Sequence, residues 1–424
     1  MLDIKFIREN PQIVKKAVED KFEHIDIDLL LQVDQKRRDL QVELDDLNKQ
    51  RNEAAKAQDF ERGKSLKKEI SDIEVAYREI NEEFVKLMEK VPNLPSADTP
   101  YGRDDSENVV LRKVGEPRKF DFTPKDHYDL GKALWMIDNE KAWQITWSRF
   151  THLKWDLVLL QFALINHAIS VLTNQEILKQ IIAENELHVS DKPFIPVIPP
   201  VFIRPEVMNR MARLEPREER YHTEADDLYL IWSAEHTLWP LHMDEILQEK
   251  DFPVRYVGYS TSFRREAGSY GKDVKWILRM HQFDKVEMET FCLSETSIDE
   301  QNFLVAIQEY LVKSLGIPYQ ILMCCTGDMW WPDARHIDLE MWIPSQDKYR
   351  ETHSADLMTD YQARRLNTKV KRLNWKTEFV HMNDATTFAI GRTLIAIMEN
   401  YQQEDGSIIV PEVLKKYVWK DFIK

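Results

Sequence analysis

The sequence predicts an α+β protein: an antiparallel sheet with flanking helices, preceded by an antiparallel α-helical coiled-coil arm. Three observations carry this. Apolar residues follow a 4-3-4-3 alternation through residues 33–87. Short aromatic and β-branched runs crowd the chain after residue 120, and long amphipathic stretches lie among them in no regular βαβ series. The chain has 424 residues, 43% apolar and 31% charged. That is enough for a sizeable core and too much for one ordinary domain.

Residues 1–26 read as a short helical lead-in. Val33, Arg37, Leu40, Leu44, Leu47, Arg51 and Ala54 then form one seam, and Leu66, Ile70, Ile73, Tyr77, Ile80, Phe84 and Leu87 a second. Ala57–Gly63 is the reversal between them, so the two helices fold back on each other, each about 45 Å long at ~1.5 Å per residue. The chain carries a net charge of −15, yet residues 49–68 hold seven basic side chains against three acidic ones. Lys49, Arg51, Lys56, Arg62, Lys64, Lys67 and Lys68 suit a phosphate backbone, although a solvated face or a dimerisation rod would show the same pattern.

Val91-Pro92-Asn93-Leu94-Pro95 breaks the second helix, and a polar linker runs to about Pro117. The arm and linker thus span 1–117, and a second domain spans 118–424. In it, helices are expected near 151–175 and 298–315. Strands are expected at Tyr256–Phe263, Leu278–Cys292, Gln320–Cys325, Ile337–Ile343 and Glu378–Met382. No Gly-x-Gly-x-x-Gly, Walker-type or Gly-x-Ser-x-Gly loop occurs. No run of 18 apolar residues suggests a membrane span. Met1–Lys5 lacks the start of a secretory signal. Three cysteines form no disulfide framework or zinc spacing, so a reducing cytoplasm is expected. Cys324-Cys325 reads as apolar filler on a strand, and His236, His281 and His381 as structural histidines.

The segment Ser262–Gly271 followed by Leu278–Met288 reads as two antiparallel strands around a long loop. Alternation puts Arg264 and Glu266 on one face of the first strand. It puts Arg279, Phe283 and Glu287 on one face of the second, with Phe283 and Glu287 about 13 Å apart at ~3.3 Å per residue. That span fits an aromatic base at one end, an ammonium or hydroxyl at the other and an arginine on a phosphate between. A charged edge hairpin with Phe283 in the core would read alike.

These residues resemble motif 2 of the class II aminoacyl-tRNA synthetases, specifically the seryl-tRNA synthetases. The resemblance covers essentially the whole chain. Phe194–Met208 resembles motif 1 at the family's dimer interface. Ala389–Leu394, running into Glu399-Asn400-Tyr401-Gln402, resembles motif 3. The heptad hairpin resembles the tRNA-binding arm.

The resemblance implies a homodimeric serine–tRNA ligase that uses ATP and Mg²⁺, with charging of a selenocysteine-type tRNA as a possible extension. Arg264 would hold the α-phosphate, beside Arg265. Glu266 would hold the adenine amino group, Met280 would line the adenine site, and Phe283 and Arg392 would sandwich the ring. Glu351-Thr352-His353-Ser354 would belong to the ATP site, with Glu351 and Ser354 as Mg²⁺ ligands. Ser233, Ala234, Glu235, Glu287 and Thr386, with Arg264, would bind serine. Arg264 and Arg392 would act on the transferring phosphoryl group.

Asp384 departs from the family's Asn. The larger departure is tryptophan. Trp147, Trp155, Trp276 and Trp330 stand where the family has Gly, and Trp135, Trp143, Trp232, Trp239, Trp331, Trp375 and Trp419 fall at turns or loop junctions. Only Trp342 looks native. The chain has 11 glycines and 12 tryptophans, where about 7% glycine is usual. A gene that reads UGA as glycine would give this pattern if translated with UGA as tryptophan. The alternative expectation is a catalytically inactive, synthetase-like RNA-binding protein. A ligase that loads a carrier protein fits less well, since a carrier has no long tRNA for the arm to meet.

Overall fold

The computed structural model describes residues 1–266 and 277–424. The chain divides into two compact units. Met1–Leu94 with Trp330–Pro332 form the first, and Pro95–Met329 with Asp333–Lys424 the second.

In the first unit, α1 (Ile4–Glu9) and α2 (Pro11–Asp20) lead into α3 (Ile27–Lys56) and α4 (Phe60–Lys90). Each long helix starts on an aspartate cap: Asp26 accepts from the Leu29 amide and Asp59 from the Arg62 amide, both at 3.0 Å. Leu30, Val33, Leu44 and Ala54 of α3 and Leu66, Ile70 and Met88 of α4 are buried, and the Arg37 guanidinium lies 4.1 Å from the Phe84 ring. Arg51, placed in the seam by its spacing, is exposed, because its charge is better solvated outside a seam that narrows to Ala54. The other six basic residues of 49–68 are exposed too.

The second unit is built on an eight-stranded sheet. Its strands are β1 (Val109–Val114), β2 (Ile195–Val197), β3 (Val254–Phe263), β4 (Gln282–Cys292), β5 (Tyr319–Met323), β6 (Arg335–Ile343), β7 (Lys348–Leu357) and β8 (His381–Ala389). They lie in the order β1-β5-β6-β7-β8-β4-β3-β2. All neighbours are antiparallel except β2, which runs parallel to β3 at the edge. Three helices, α5 (Asp156–Leu172), α6 (Ser297–Leu315) and α7 (Ile390–Tyr401), supply buried residues to the main core with Val286, Met288, Ile321, Leu339 and Phe388 of the strands. Gly316 ends α6 with φ 68°, a conformation that costs glycine nothing. No single described helix is long and apolar enough to cross a membrane.

Several sequence expectations are corrected. Val109–Val114 is not linker but an edge strand paired with β5. Its side chains are mostly exposed, so it shows no alternation. Glu378–Met382 divides between a short strand, Thr377–Phe379, and the start of β8. Strand β4 begins at Gln282, so Arg279 lies in the preceding turn, and β3 ends at Phe263, one residue before Arg264. Cys324 and Cys325 lie just past β5. The Cys324 thiol donates to Asp338 at 3.4 Å, and burial pushes its pKa upward.

Three buried histidines are held neutral. Burial lowers His167 and His236 to about 4 and His353 to about 3. Each folded value lies below the unfolded one of ~6.5. The unfolded chain therefore binds more protons, and each site removes stability as pH falls from about 6.5 towards its folded value. The imidazole resonances of all three are expected to stay unshifted from pH 8 to about 5 in an NMR titration. Any that titrates near 6.5 is solvated rather than buried.

Candidate active site

The functional side chains gather on one face of the sheet's centre, where β7, β8 and β4 adjoin. A cavity of about 300 Å³ is lined there by Arg264, Glu266, Met280, Phe283, Lys285, Glu351, Thr352, Ser354, Thr386 and Arg392, among others. Simple alternation would not bring all of these together, because Glu351 and Ser354 are an odd number of residues apart. A register shift in β7 resolves this. Leu339 pairs with His353 and Glu340 with Glu351, so Thr352 is skipped. The extra residue turns Glu351 onto the face of Ser354. A matching shift in β8 skips Thr387 and sets Thr386 opposite Glu287. The Ser354 and Thr386 hydroxyls then meet at 3.2 Å.

Two arginines and an aromatic ring form the open half of the site. The Arg264 amide donates to the His281 carbonyl at 2.9 Å, and His281 Nδ1 lies 2.9 Å from the Arg264 carbonyl. This pairing continues the β3–β4 hairpin past its strands. It leaves the Arg264 guanidinium 5.2 Å from the Phe283 ring, with its Nε buried and unpartnered among the described residues. Burial pulls its pKa down, which Glu266 opposes. Arg392 reaches across to Glu351, 2.9 Å from the carbonyl and 3.0 Å from the carboxylate. Desolvation alone would raise Glu351, whose side chain is still 49% exposed, but Arg392, His336 and Arg264 outweigh it and hold the carboxyl at about 2. Glu351 and Ser354 are hard oxygen donors on one wall, the donor type that Mg²⁺ takes.

The closed half is a buried polar knot. Ser233 Oγ donates to Glu287 Oε2 at 3.0 Å, and Lys285 Nζ donates to Glu287 Oε1 at 2.8 Å. Gly258 pairs with Glu287 across β3–β4. A Cβ there would lie 2.6 Å from Leu238 Cδ1 and 3.1 Å from Ala234 Cβ, so glycine lets the 233–238 segment close over the strand. Carboxylate oxygens of Glu235, Glu287 and Asp384 lie within 4.8 Å of one another, all buried. Burial raises Glu287, with Lys285 opposing, and raises Asp384 strongly, with Asp356 reinforcing. Glu235 is held well below the usual range because Arg213 and His236 overcome its burial. Trp232 Nε1 bonds Glu235 at 3.2 Å, and the Trp232 ring lies 3.6 Å from the Arg220 guanidinium.

Of the sequence-nominated residues, Arg264, Glu266, Met280, Phe283, Glu351, Thr352, Ser354, Thr386 and Arg392 line the cavity. Ser233, Ala234, Glu235 and Glu287 form the buried end. Two do not join. Arg265 is exposed, with its guanidinium 5.8 Å from the Tyr221 ring. His353 is buried, 5.6 Å from the Phe388 ring, because the shift that turns Glu351 inward leaves it on the opposite face. Ala267, Gly268, Ser269, Tyr270, Gly271 and Trp276 lie outside the described residues. Lys285 was missed, although the alternation that joins Phe283 to Glu287 must include it. A second cluster sets Cys324 and Asp338 beside His336, whose ring bonds Asp338 at 2.9 Å and also Asp356. Burial would lower the His336 pKa, but Asp356, Cys324 and Asp338 raise it well above the usual value. This is a satisfied internal ion network.

Comparisons with known proteins find relatives along the whole chain. Residues 1–95 match the family model described as "Seryl-tRNA synthetase N-terminal domain". Residues 218–401 match that of the "tRNA synthetase class II core domain (G, H, P, S and T)". The serine–tRNA ligase of Thermodesulfovibrio yellowstonii is 38% identical, with all of both chains covered. The Pyrococcus horikoshii seryl-tRNA synthetase complexed with ATP superposes with a TM-score of 0.88 at 33% identity, over 100% of this chain and 99% of that one. The cytoplasmic serine–tRNA ligase of Naegleria fowleri, in complex with AMP, gives 0.86 at 29% identity with the same coverage. An 11% identical prolyl-tRNA synthetase from Giardia lamblia, with a TM-score of 0.53, shares the fold over 68% of this chain. From the arm to the cation-lined sheet face, the chain belongs to the seryl-tRNA synthetases.

Proposed function

We propose that ATP and L-serine lie end to end along this sheet face and react there to seryl-adenylate and pyrophosphate. The reading rests on one juxtaposition: a half-buried cation, Arg264, lies 5.2 Å from an aromatic ring, Phe283, on the strand that also carries Glu287 of the carboxylate knot. Phe283 and Arg392 sandwich the adenine. Glu266, with Met280 alongside, meets the adenine edge. Arg264 grips the α-phosphate. Glu235, Glu287 and the Thr386 and Ser233 hydroxyls take the serine ammonium and side-chain hydroxyl. Alanine is rejected because it would leave those polar groups unpaired.

Glu351 and Ser354 would hold Mg²⁺, which supplies charge neutralisation on the phosphates. The serine carboxylate attacks the α-phosphorus in line and pyrophosphate leaves. No side chain needs to act as acid or base, since positioning and the two arginines lower the barrier. The terminal ribose hydroxyl of tRNA(Ser) then attacks the activated carbonyl and releases AMP. Serine-dependent exchange of pyrophosphate into ATP tests the first step, and no exchange with serine and Mg²⁺ present would refute it.

The hairpin of α3 and α4 is the tRNA contact, and the enzyme works as a homodimer in the cytoplasm. Converting Lys64, Lys67 and Lys68 to Gln is expected to leave pyrophosphate exchange intact. The same change weakens tRNA binding and reduces the slope of log affinity against log salt by about 0.7–0.9 for each phosphate no longer neutralised. An unchanged salt slope in a filter-binding titration would remove the arm tip from the interface.

A further inference from the structure

Tryptophan behaves here as glycine does. Of the eleven described tryptophans, four have positive φ: Trp135 at 58°, Trp155 at 53°, Trp375 at 70° and Trp419 at 57°. Three of the nine described glycines do so: Gly115, Gly316 and Gly406. Phenylalanine and tyrosine, the nearest steric relatives, do so once in thirty-one described residues, at Phe22. A bulky side chain is a genuine outlier at positive φ, so a shared habit with glycine is not a property of indole.

Each of the four occupies a turn that selects glycine for a stated reason. The helix His127–Ala133 ends with the Trp135 amide on the Lys132 carbonyl at 3.1 Å and the Met136 amide on the Gly131 carbonyl at 2.7 Å. That bond pair is the Schellman motif, with Trp135 at the C′ position. The helix Glu412–Val418 ends on Trp419 in the left-handed region, its amide on the Lys415 carbonyl at 2.7 Å. Between the strands Lys369–Lys371 and Thr377–Phe379, the Trp375 amide bonds the Arg372 carbonyl at 2.9 Å and the Arg372 amide bonds the Lys376 carbonyl at 2.8 Å. This is a tight hairpin turn closed by a left-handed residue, and glycine after Asn374 would suit it. Trp155 has φ 53° and ψ −131°, close to a region open essentially to glycine alone.

None of the four is held by burial. They are 75%, 72%, 78% and 80% exposed, in chain order, although tryptophan is among the most buried residue types on average. Trp342 contrasts with them. It is half-buried, outside the positive-φ set, and packs edge-on against Tyr349 at 5.1 Å.

We propose that the protein made in its own cell carries glycine at 135, 155, 375 and 419, because the gene's UGA codons are translated there as glycine. UGA is the codon whose meaning shifts between the two residues without any change in the gene. Backbone geometry singles out these four alone: Trp143 lies within the helix Asn139–Ile145 and Trp239 is fully buried with its Nε1 on Glu289, so neither stands at the loop junction the sequence suggests. The inference rests on backbone geometry and composition, so it stands or falls apart from seryl transfer.

Peptide mass spectrometry of the enzyme isolated from its natural source is the direct test. Glycine is expected at the four positions and tryptophan at 342, with TGA codons at the four and TGG at 342. Tryptophan at the four positions would overturn the proposal. A second measurement reads the backbone alone. The W135G/W155G/W375G/W419G variant of the recombinant chain is expected to melt several degrees higher. An unchanged or lower Tm would show that these four turns are not built for glycine.

Discussion

Arg264→Ala is expected to lower kcat for serine-dependent pyrophosphate exchange by about 10²–10³, the usual effect of removing one preorganised donor to a charged transition state. Arg264 is half-buried, its buried Nε has no hydrogen-bond partner among the described residues, and its guanidinium stands 5.2 Å from Phe283. Such a cation is costly to keep without an anion to receive it, and burial already draws its pKa down. An α-phosphate would offset that cost. Arg264→Lys should rescue little, because a point charge cannot make the paired, planar contact. Steady-state exchange with ATP and serine varied separately gives the check. Because the contact strengthens as charge develops, kcat should fall more than the KM for serine rises. Unchanged exchange in the alanine variant would place the phosphate elsewhere.

The second large effect is at Glu287. Glu287→Ala leaves Lys285 buried without its carboxylate and Ser233 without its acceptor. Breaking one side of such a pair costs about 3–5 kcal/mol of stability, and serine activation should be lost as well. The two consequences can be separated. Glu287→Gln combined with Lys285→Met removes both charges, keeps an acceptor for Ser233, and should recover most of the Tm. Activity should stay low, because the serine ammonium and hydroxyl then lose the Glu287 carboxylate, and Glu235 alone does not replace both contacts. A double variant that regains both Tm and serine-dependent exchange would make Glu287 a structural residue only. Denaturant melts beside exchange assays distinguish these outcomes.

The two halves of the site were unequally legible in the sequence. Phe283 and Glu287 could be paired from strand alternation alone, since a period of two is fixed by the pleat. Glu351 and Ser354 could not. Their joint orientation depends on the register shift at Thr352, which no local propensity announces. The same shift explains why His353, inside the nominated segment, faces Phe388 instead of the cavity. Lys285 was available to the alternation argument and went unused. The ion network around His336 joins β6 to β7 through paired residues twenty positions apart, a closeness that only strand order creates.

Residue order was enough to establish the heptad hairpin, the charge reversal at its tip, the hairpin that carries Arg264 and Phe283, and the mismatch between tryptophan and its loops. These follow from periodicity, charge and residue type, which act over a few neighbouring positions. Folding in three dimensions fixed which strands adjoin, where the two bulges turn side chains inward, and that Gly258 lets the 233–238 segment close over Glu287. Those outcomes depend on contacts between distant segments, and their energies are set by packing and desolvation once the sheet has formed.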